Sequence, residues 1–522
     1  MELYFLKKAN GRSFNLKDFL INLFWLFVIT YFVNKIYWFI STSLTPINEE
    51  SSFSFWNYLR YGDNNFLYLV VLAVIIAIYI IKIKKLTWDG LDVRIRIIIY
   101  TCIFLLAWNY TLYDYNYFLG HWSFSDRLLL CIVLILAIFN PAFLIFVVIQ
   151  SLVLSQQFQY PLFFDYSFTD KSIVFDIVIV GWLFIVIKKT LYKAIPEYLF
   201  YVIVLGIICN WYWLAGLGKL ELNWLSKNEL YKLFMVTLDY NWLYFLEWDT
   251  KLYIANFLKK YNDVIQVTTI VVELIFPIII LIHKRISIFV LGSFILFHLS
   301  VFFTSGIFFW KWIVVELVII LCLIKYKDLW LKKNKIQGIL TYLVFLITAN
   351  FYFSSSKLSW LDVGIYNKYE FKVKNKEGEV FNLESSFFSP YDLNFAQNRF
   401  NFINNNKIIT STFGSALDEN LLFLKDKANI LKYVDANGVN KYNANKKKDL
   451  IMFIKTFINN KQKSIKFDLP NAPTHIWQGE NQSEEIFKSE LDSLFIITKF
   501  RFINEKLEYK DLNQDIIKIS IN

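Results

Sequence analysis

The sequence contains few of the residues that typify fibrous, disordered or disulfide-rich proteins. Its 522 residues include only 16 Gly, 8 Pro and 4 Cys, and charged residues make up 19%. Collagen-like repeats need glycine at every third position, disordered chains are rich in charge, and disulfide scaffolds are rich in cysteine. The composition therefore excludes these three classes. All four cysteines fall in apolar segments, and no Cys/His spacing indicates a zinc site or an iron–sulfur cluster.

Apolar residues are abundant instead, at 56% of the chain, and the mean hydropathy is +0.42. A transmembrane helix needs about 20 mostly apolar residues. The first two thirds of the chain contain repeated runs of this kind, and we predict membrane spans at 19–40, 66–82, 97–113, 172–187, 196–217, 264–282, 286–304, 307–324 and 337–353. The apolar stretch 128–154 is broken at Asn140-Pro141, and proline disfavours helical geometry in the residue before it. We predict a hairpin of two half-length helices there.

The formal net charge of +11 lies mostly in short loops between the apolar runs. A nucleic-acid-binding protein concentrates basic charge on one soluble face, so no nucleic-acid partner is expected. Lys and Arg in short loops mark the cytoplasmic side of a membrane. With a cytoplasmic N-terminus, 19 basic residues of 1–354 lie in cytoplasmic loops and 9 in exterior loops. This orientation places residues 355–522 outside the membrane. The first run is longer than a signal-peptide core and is expected to remain as an anchor.

The C-terminal part is more polar and lacks cysteine. Its pattern predicts a β-hairpin over Tyr369–Leu383, a helix around Asp449–Asn460, strands around Ser493–Asn504 and Gln514–Ser520, and a loop at Asn437–Lys448. The predicted fold class is therefore an all-α polytopic membrane domain, residues 1–354, followed by a smaller α+β extracytoplasmic domain, residues 355–522. About nine transmembrane helices and one helical hairpin make up the first domain. The bias towards Asn, Ile and Lys suggests a bacterial origin, and with it the inner (cytoplasmic) membrane.

Ionisable residues inside a bilayer cost at least about 2.5–3.5 kcal/mol each near its centre, so they are functional candidates. Lys35 and Lys311 lie near span ends, where a long side chain reaches the surface. Asp176, one turn inside its span, is interpreted as a solvated helix terminus. Glu273 and Glu316 lie deeper, in VVELIFP and VVELVII. Such a carboxylate must be protonated, paired or exposed to a wet cavity, and both a structural pairing and a substrate or proton pathway remain open.

Histidines and one lysine complete the set of candidates. His298 lies in the outer half of its span, and His121 follows Gly120 at the outer surface; each is either a packing residue or a functional one. His475 and a second loop histidine are expected at the surface. Lys219 follows the small residues of AGLG within NWYWLAGLGKLELNWL, residues 210–225. Small residues let another helix or a flat ligand approach the backbone, and Lys219 is either a snorkelling lysine or a desolvated amine usable as a general base.

The segment Ala215–Trp224 resembles the Ala-Gly-Val-Lys-Lys-Leu-Asp-Ala-Asp-Trp segment of vitamin K-dependent gamma-glutamyl carboxylase and of the related bacterial HTTM domain proteins. FHLSVFFTSGIFFW, residues 297–310, resembles the later helix of that family with its Phe-His pair. The sequence departs from the family at Gly218, which replaces the first lysine of a pair, and at Tyr115, which replaces a functional histidine. The organisation of about nine spans and an exoplasmic soluble region is similar as well.

This resemblance implies a membrane enzyme in which Lys219 is the base that deprotonates a reduced quinone, menaquinol or vitamin K hydroquinone, and His298 is its polar catalytic partner. The residues expected to bind the substrate are Asn116, Tyr117, His121, Trp224 and Glu273. A carboxylase-like enzyme would also act on a peptide or protein substrate. The alternative hypothesis is a non-catalytic membrane protein that assists the maturation or export of a secreted peptide. Transport is a third hypothesis, weakened because no inverted repeat is evident.

Overall fold

A computed structural model describes most of the chain. The described residues are 15–44, 86–111, 123–156, 172–325, 335–353, 359–389, 391–409, 413–463, 472–479, 486 and 490–521, together with part of 67–78. The described residues between 67 and 78 are helical, and the rest of the predicted span 66–82 lies outside the described part.

The first two thirds of the chain are helical. Its helices are α1 (Leu16–Ser43), α2 (Val93–Thr111), α3 (Ser123–Phe139), α4 (Leu144–Gln156), α5 (Ile173–Val186), α6 (Tyr198–Glu221), α7 (Trp224–Lys227), α8 (Leu230–Asp239), α9 (Trp248–Lys260), α10 (Asn262–Ile270), α11 (Phe276–Ile279), α12 (Lys284–Ser305), α13 (Trp310–Lys325) and α14 (Lys335–Thr348). A π-helical turn, Val271–Ile275, joins α10 to α11. Within the described residues, five helices are long and apolar enough to cross a membrane: α1, α2, α6, Asn262–Ile279 and α12.

The predicted break in the apolar stretch 128–154 is confirmed. Helix α3 ends before Asn140, and a single 3-10 turn, Pro141–Phe143, leads into α4. The Asn140 backbone is extended, and its side-chain oxygen accepts a hydrogen bond from the Ala142 N–H at 2.9 Å. This cap satisfies one of the free N–H groups at the start of the second helical segment. Helices α3 and α4 pack against each other as a hairpin.

Helix α6 is the central helix of this region. Of its most apolar 18-residue window, 94% is buried, compared with 28% for α12 and 33% for α1. Glycine allows its neighbours to come close: a Cβ on Gly206 would lie 2.6 Å from a ring carbon of Phe345 in α14.

Asp176 in α5 is also fully buried, so the expectation of a solvated helix terminus was wrong. The reason is that α5 packs against α1, α2, α4 and α6, which enclose it.

The C-terminal part combines strands with short helices. Its elements are β1 (Leu361–Asp362), β2 (Ile365–Asn375), β3 (Val380–Asn382), α15 (Asp392–Ala396), β4 (Lys407–Ile408), β5 (Ser415–Ala416), α16 (Lys427–Asn437), β6 (Val439–Asn440), α17 (Ala444–Lys463), β7 (Leu491–Ile503) and β8 (Tyr509–Ser520). The main sheet is antiparallel in the order β3-β2-β7-β8. Phe371 pairs with Ile496, and Ile496 with Ile517.

Three of the four predicted C-terminal features are confirmed. Strands β2 and β3 form the expected hairpin, in which Gly378 adopts a φ of 97° that favours glycine. The predicted helix lies within α17, and the two later strands are β7 and β8. The loop expected at Asn437–Lys448 was wrong in part: Val439 pairs with Ile408, and α17 begins at Ala444. The polar composition hid this structure because β6 is exposed to solvent and α17 begins with the exposed residues Ala444 and Asn445.

The two parts of the chain are joined by direct hydrogen bonds. The Phe308 N–H donates to the His475 carbonyl at 2.7 Å, and the Trp477 N–H donates to the Gly306 carbonyl at 2.9 Å. His475 was expected to be a surface residue, but its ring lies against Phe309. Burial, assisted by the nearby Lys311 cation, lowers the pKa of His475 to about 4. The C-terminal region therefore packs directly on the ends of α12 and α13.

Candidate functional site

A cavity of about 520 Å³ lies between α6, α9, α10 and α12, beside the start of the C-terminal part. Its walls are mainly aromatic and aliphatic, with contributions from Trp211, Phe297, Phe309 and Trp312. Four acidic, basic or imidazole side chains also line it: Lys219, Glu273, His298 and Asp362. An apolar cavity with a few convergent polar groups is the usual form of a small-molecule site.

The cavity opens on an apolar surface between α9 and α12. Tyr253 and Phe257 of α9 and Phe303 of α12 line the cavity, and all three are also exposed. In a helical region with several apolar spans, such an opening suits a ligand that arrives from lipid.

Lys219 and Glu273 form a buried ion pair at the cavity. The Lys219 Nζ donates to both carboxylate oxygens of Glu273, at 2.6 Å and 2.8 Å. The side chains are 12% and 3% exposed. Lys219 is therefore not the snorkelling lysine that the sequence allowed, because its charge is directed to a carboxylate inside the protein. Glu273 is one of the residues expected to bind the substrate, and the structure places it against the expected base.

The small residues of AGLG explain how this pair forms. A Cβ on Gly216 would lie 2.6 Å from Leu274 Cδ2 and 3.1 Å from Glu273 Cβ. Glycine at this position therefore allows the segment that carries Glu273 to contact α6 directly. Glu273 and Leu274 belong to the π-helical turn Val271–Ile275, and π turns are frequent at functional sites because the extra residue redirects side chains. Gly218 likewise allows Ser359 to contact α6, since the Ser359 Oγ would lie 2.4 Å from a Cβ added at position 218.

Trp224 covers the same end of the cavity. Asn223, between α6 and α7, adopts a left-handed conformation with a φ of 51°, which turns the chain sharply after Lys219. The Lys219 Nζ lies 5.7 Å from the centroid of the Trp224 ring, within the range of a cation–π contact. Trp224 is buried, and it lines the cavity together with Lys219 and Glu273.

Asp362 is a cavity residue that the sequence reasoning missed. It lies on β1 in the C-terminal part, where no intramembrane signal marked it. Its carboxylate accepts hydrogen bonds from Asn228 Nδ2 at 2.7 Å and from Trp360 Nε1 at 3.1 Å. Burial raises the pKa of Asp362 to about 6, although both hydrogen bonds and the Lys219 charge act in the opposite direction. Asp362 is thus a second carboxyl group close to the Lys219 end of the cavity.

His298 belongs to a second polar group, which includes Tyr212 and Glu316. The Tyr212 hydroxyl lies 2.6 Å from His298 Nε2 and donates to Glu316 Oε1 at 2.9 Å. The Tyr212 ring stacks on Phe294 with a centroid distance of 3.8 Å, which fixes the hydroxyl in place. His298 and Tyr212 line the cavity, and Glu316 lies fully buried behind them.

This group has two hydrogen-bond arrangements that differ by one proton. Tyr212 has a single hydroxyl proton, and neutral His298 has a single ring proton. If Tyr212 donates to Glu316, His298 carries its ring proton on Nε2 and donates to the phenol oxygen. If Tyr212 donates to His298, the ring proton lies on Nδ1 and Glu316 carries an additional proton, which it donates to the phenol oxygen. Within the described residues, His298 Nδ1 and Glu316 Oε2 have no hydrogen-bond partner.

The two polar groups lie on one face of α6. Tyr212 and Lys219 are seven residues apart, which corresponds to two helical turns and about 10 Å along the axis. Lys219 and His298, the two predicted catalytic residues, therefore line one cavity.

Asn116, Tyr117 and His121, the remaining predicted binding residues, lie outside the described residues. Where the structure describes the chain, no group of three or more His, Cys, Asp or Glu side chains could hold a metal ion.

These observations define a helical protein of the kind expected in a lipid bilayer, with an apolar internal cavity that contains two buried polar groups. Comparison of the chain with protein-family models, with curated proteins and with solved structures gave no match. The cavity itself is therefore the feature from which a function is inferred.

Proposed function

We propose that this protein binds a reduced quinone in the membrane and removes its hydroxyl protons as part of a quinol-dependent, carboxylase-like oxidation. The observation that carries the proposal is the buried Lys219–Glu273 pair at one end of a cavity with aromatic walls. Menaquinol and vitamin K hydroquinone both combine a flat ring, hydroxyl groups and an isoprenoid tail. The cavity fits these features, since its walls suit a ring and its opening between α9 and α12 suits an apolar tail.

A bound quinol would supply two hydroxyl protons and two electrons, and dioxygen would be the oxidant that accepts the electrons. In the ion pair, Glu273 carries the oxygen atoms that can accept a proton, whereas all the Lys219 N–H groups are donors. We therefore assign the proton-accepting step to the pair: Lys219 Nζ donates a hydrogen bond to the ligand oxygen, and a carboxylate oxygen of Glu273 takes the proton. Preorganised donors at a site of developing charge are a strong catalytic device. In this mechanism Lys219 and Glu273 act together as the base.

The Tyr212–His298–Glu316 group is assigned a supporting role at the other end of the cavity. It can take up or release one proton by exchanging hydrogen-bond donors along Tyr212, without separating charge over a long distance. The ring of Trp224 and the neighbouring aromatic side chains would exclude water from the Lys219 end.

The proposal includes a topology. The positions of the basic loops favour a cytoplasmic N-terminus, about nine spans with the α3–α4 hairpin, and an extracytoplasmic C-terminal part. The bias towards Asn, Ile and Lys supports placement in a bacterial inner membrane. A peptide or protein substrate would then be modified on the extracytoplasmic side, next to the Lys219 end of the cavity.

Oxidation of menaquinol by dioxygen in nanodiscs tests the enzymatic proposal. Wild type is compared with Lys219→Met and Glu273→Gln, at equal amounts of folded protein. Lys227→Met is the matched control, because Lys227 lies eight positions after Lys219, at the end of α7, and pairs with the exposed Glu419. We expect oxidation above protein-free nanodiscs for wild type and control, and a rate about 100-fold lower in the two cavity variants.

Two outcomes would contradict parts of the proposal. Equal rates in Lys219→Met and wild type would remove the ion pair from the reaction. No oxidation in wild type would favour the alternative, a non-catalytic protein that assists maturation or export of a secreted peptide.

A further inference from the structure

A second cavity, of about 440 Å³, lies where the end of α8 meets the main sheet. Strands β2 and β7 form one side, and the segment after α8 together with the first turns of α9 forms the other. It shares no lining residue with the first cavity. Its lining is largely polar, in contrast to the aromatic walls of the first cavity.

Positive charge is in excess in this second cavity. Its lining includes five basic and three acidic side chains: Lys251, Lys368, Lys372, Lys499 and Arg501, with Asp239, Glu370 and Glu384. Glu384 accepts a hydrogen bond from Asn241 Nδ2 at 3.3 Å, and burial raises the pKa of its carboxyl group. Even with all three acids ionised, the cations of the lining outnumber the carboxylates.

Two of the cations have a structural task. Arg501 Nη1 lies 2.6 Å from Asp239 Oδ1, and its other nitrogen atoms contact Asp511. Lys368 Nζ contacts Asp239 and also lies 2.9 Å from Glu370 Oε1. These contacts occupy most of the hydrogen-bond donors of Arg501 and Lys368. They also connect the sheet to the end of α8.

The other lysines retain hydrogen-bonding capacity. Lys499 Nζ donates to Glu370 Oε1 at 2.9 Å, which uses one of its three donors. Lys372 Nζ is 3.8 Å from Glu370 Oε2, beyond hydrogen-bond distance. Lys251 has no ion-pair partner among the residues that the structure describes, although it is partly buried. Lys251 and Lys372 face the same cavity from opposite sides, one from α9 and one from β2.

The backbone around this cavity is held in an uncommon conformation. Asn241 and Asn398, which both line it, and Leu243 have φ values of 62°, 52° and 54°. Left-handed conformations are costly for residues other than glycine and cluster at ligand sites. The Asn398 side-chain oxygen accepts a hydrogen bond from the Tyr369 N–H at 2.8 Å. This bond satisfies a donor in the part of β2 that the short strand β3 does not reach.

We propose that this second cavity binds a small polar anion, bearing carboxylate or phosphate oxygens, between Lys251 and Lys372. Lys499 supplies further donors from β7. An anionic group here would balance the excess of cations and occupy donors that the protein leaves unused. The ligand class follows from the charge and the polar lining, and it is independent of the quinone proposed for the first cavity.

Titration calorimetry on the full chain in nanodiscs tests this inference. The probes are inorganic phosphate and succinate, each titrated at constant ionic strength against a chloride reference. We expect saturable binding of at least one probe, weakened about tenfold or more by Lys251→Met and by Lys372→Met, because each removes a charge-assisted hydrogen bond. Binding of phosphate alone or of succinate alone identifies the anion class, and either result supports the site.

Lys374→Met is the matched control. Lys374 follows Lys372 by two positions on the same face of β2 but does not line the cavity, so its loss changes the net charge equally. Neither Lys251 nor Lys372 holds a close ion pair, so both variants should fold, which thermal unfolding checks. The inference is overturned if neither probe binds saturably, or if Lys374→Met weakens binding as much as the other two variants.

Discussion

Loss of Lys219 should destabilise the folded protein even when no ligand is present. Lys219→Met leaves the Glu273 carboxylate with 3% exposure and without its cation. At 2.6 Å and an effective dielectric constant of about 20, the lost attraction is about 6 kcal/mol before desolvation is counted. Breaking a buried pair by removing one partner costs about 3–5 kcal/mol. We expect that loss in the free energy of unfolding, measured by SDS titration in mixed micelles with circular dichroism.

A double-mutant cycle separates the pair from other effects of the substitution. Lys219→Met combined with Glu273→Leu removes both charges, so the double variant should be more stable than additivity predicts by about 2–3 kcal/mol. Lys227→Met breaks a pair whose acidic partner, Glu419, is 53% exposed, and it should cost less than about 1 kcal/mol. The reasoning is refuted if Lys219→Met is as mild as Lys227→Met, or if the cycle shows no coupling.

Three further predictions concern packing, pH and the contact between the two parts of the chain. Gly218→Ala should lower the free energy of unfolding by about 1–3 kcal/mol, because the new Cβ meets Ser359 Oγ at 2.4 Å; Ser359→Gly should restore most of the loss in the same SDS titration. The folded-state pKa of Asp362, raised to about 6 from 3.8, means that the native state binds the extra proton, so wild-type stability should fall as pH rises through that window. Asp362→Asn should remove up to about 3 kcal/mol of this dependence, which unfolding at pH 4 and pH 7 measures; parallel curves for the two proteins would contradict it. Asp239→Leu should cost about 3 kcal/mol or more, because Asp239 is 8% exposed and receives two cations and a tyrosine hydroxyl. Limited proteolysis should then release the C-terminal part faster than in Asp511→Leu, whose carboxylate is 41% exposed; equal release would count against the role of Asp239.

The helical architecture was largely predictable because apolar periodicity and length act locally. The break at Asn140-Pro141 was also predictable, since proline restricts the residue before it whatever surrounds the segment. The β2–β3 hairpin followed from alternation and a glycine turn. Composition failed where burial depends on distant neighbours: Asp176 looked solvated in the sequence but is fully buried, and His475 is half-buried with its ring against Phe309.

The candidate site was predictable only in part. Lys219, Trp224, Glu273 and His298 were identified individually. Glu273 and His298 were ionisable residues in apolar spans, Lys219 followed the small residues of AGLG, and the family resemblance covered Lys219, Trp224 and His298. Their grouping was not predicted, because Lys219 and Glu273 are 54 positions apart and meet through a π turn that has no clear sequence signature. Asp362 was missed because its position on β1 carries no mark until the C-terminal part folds against the helices.

The sequence by itself determined a chain rich in apolar helices, with charge in its loops and a polar, strand-containing C-terminal part. These properties follow from side-chain hydrophobicity and local backbone preference, which each segment expresses alone. Only the tertiary structure decided that Lys219 is paired with Glu273, that Tyr212 links His298 to Glu316, and that a second, polar cavity lies between α8 and the sheet. Such pairings depend on distances between residues far apart in sequence, and for Lys219 and Glu273 the distance depends on how closely Gly216 lets the π turn approach α6.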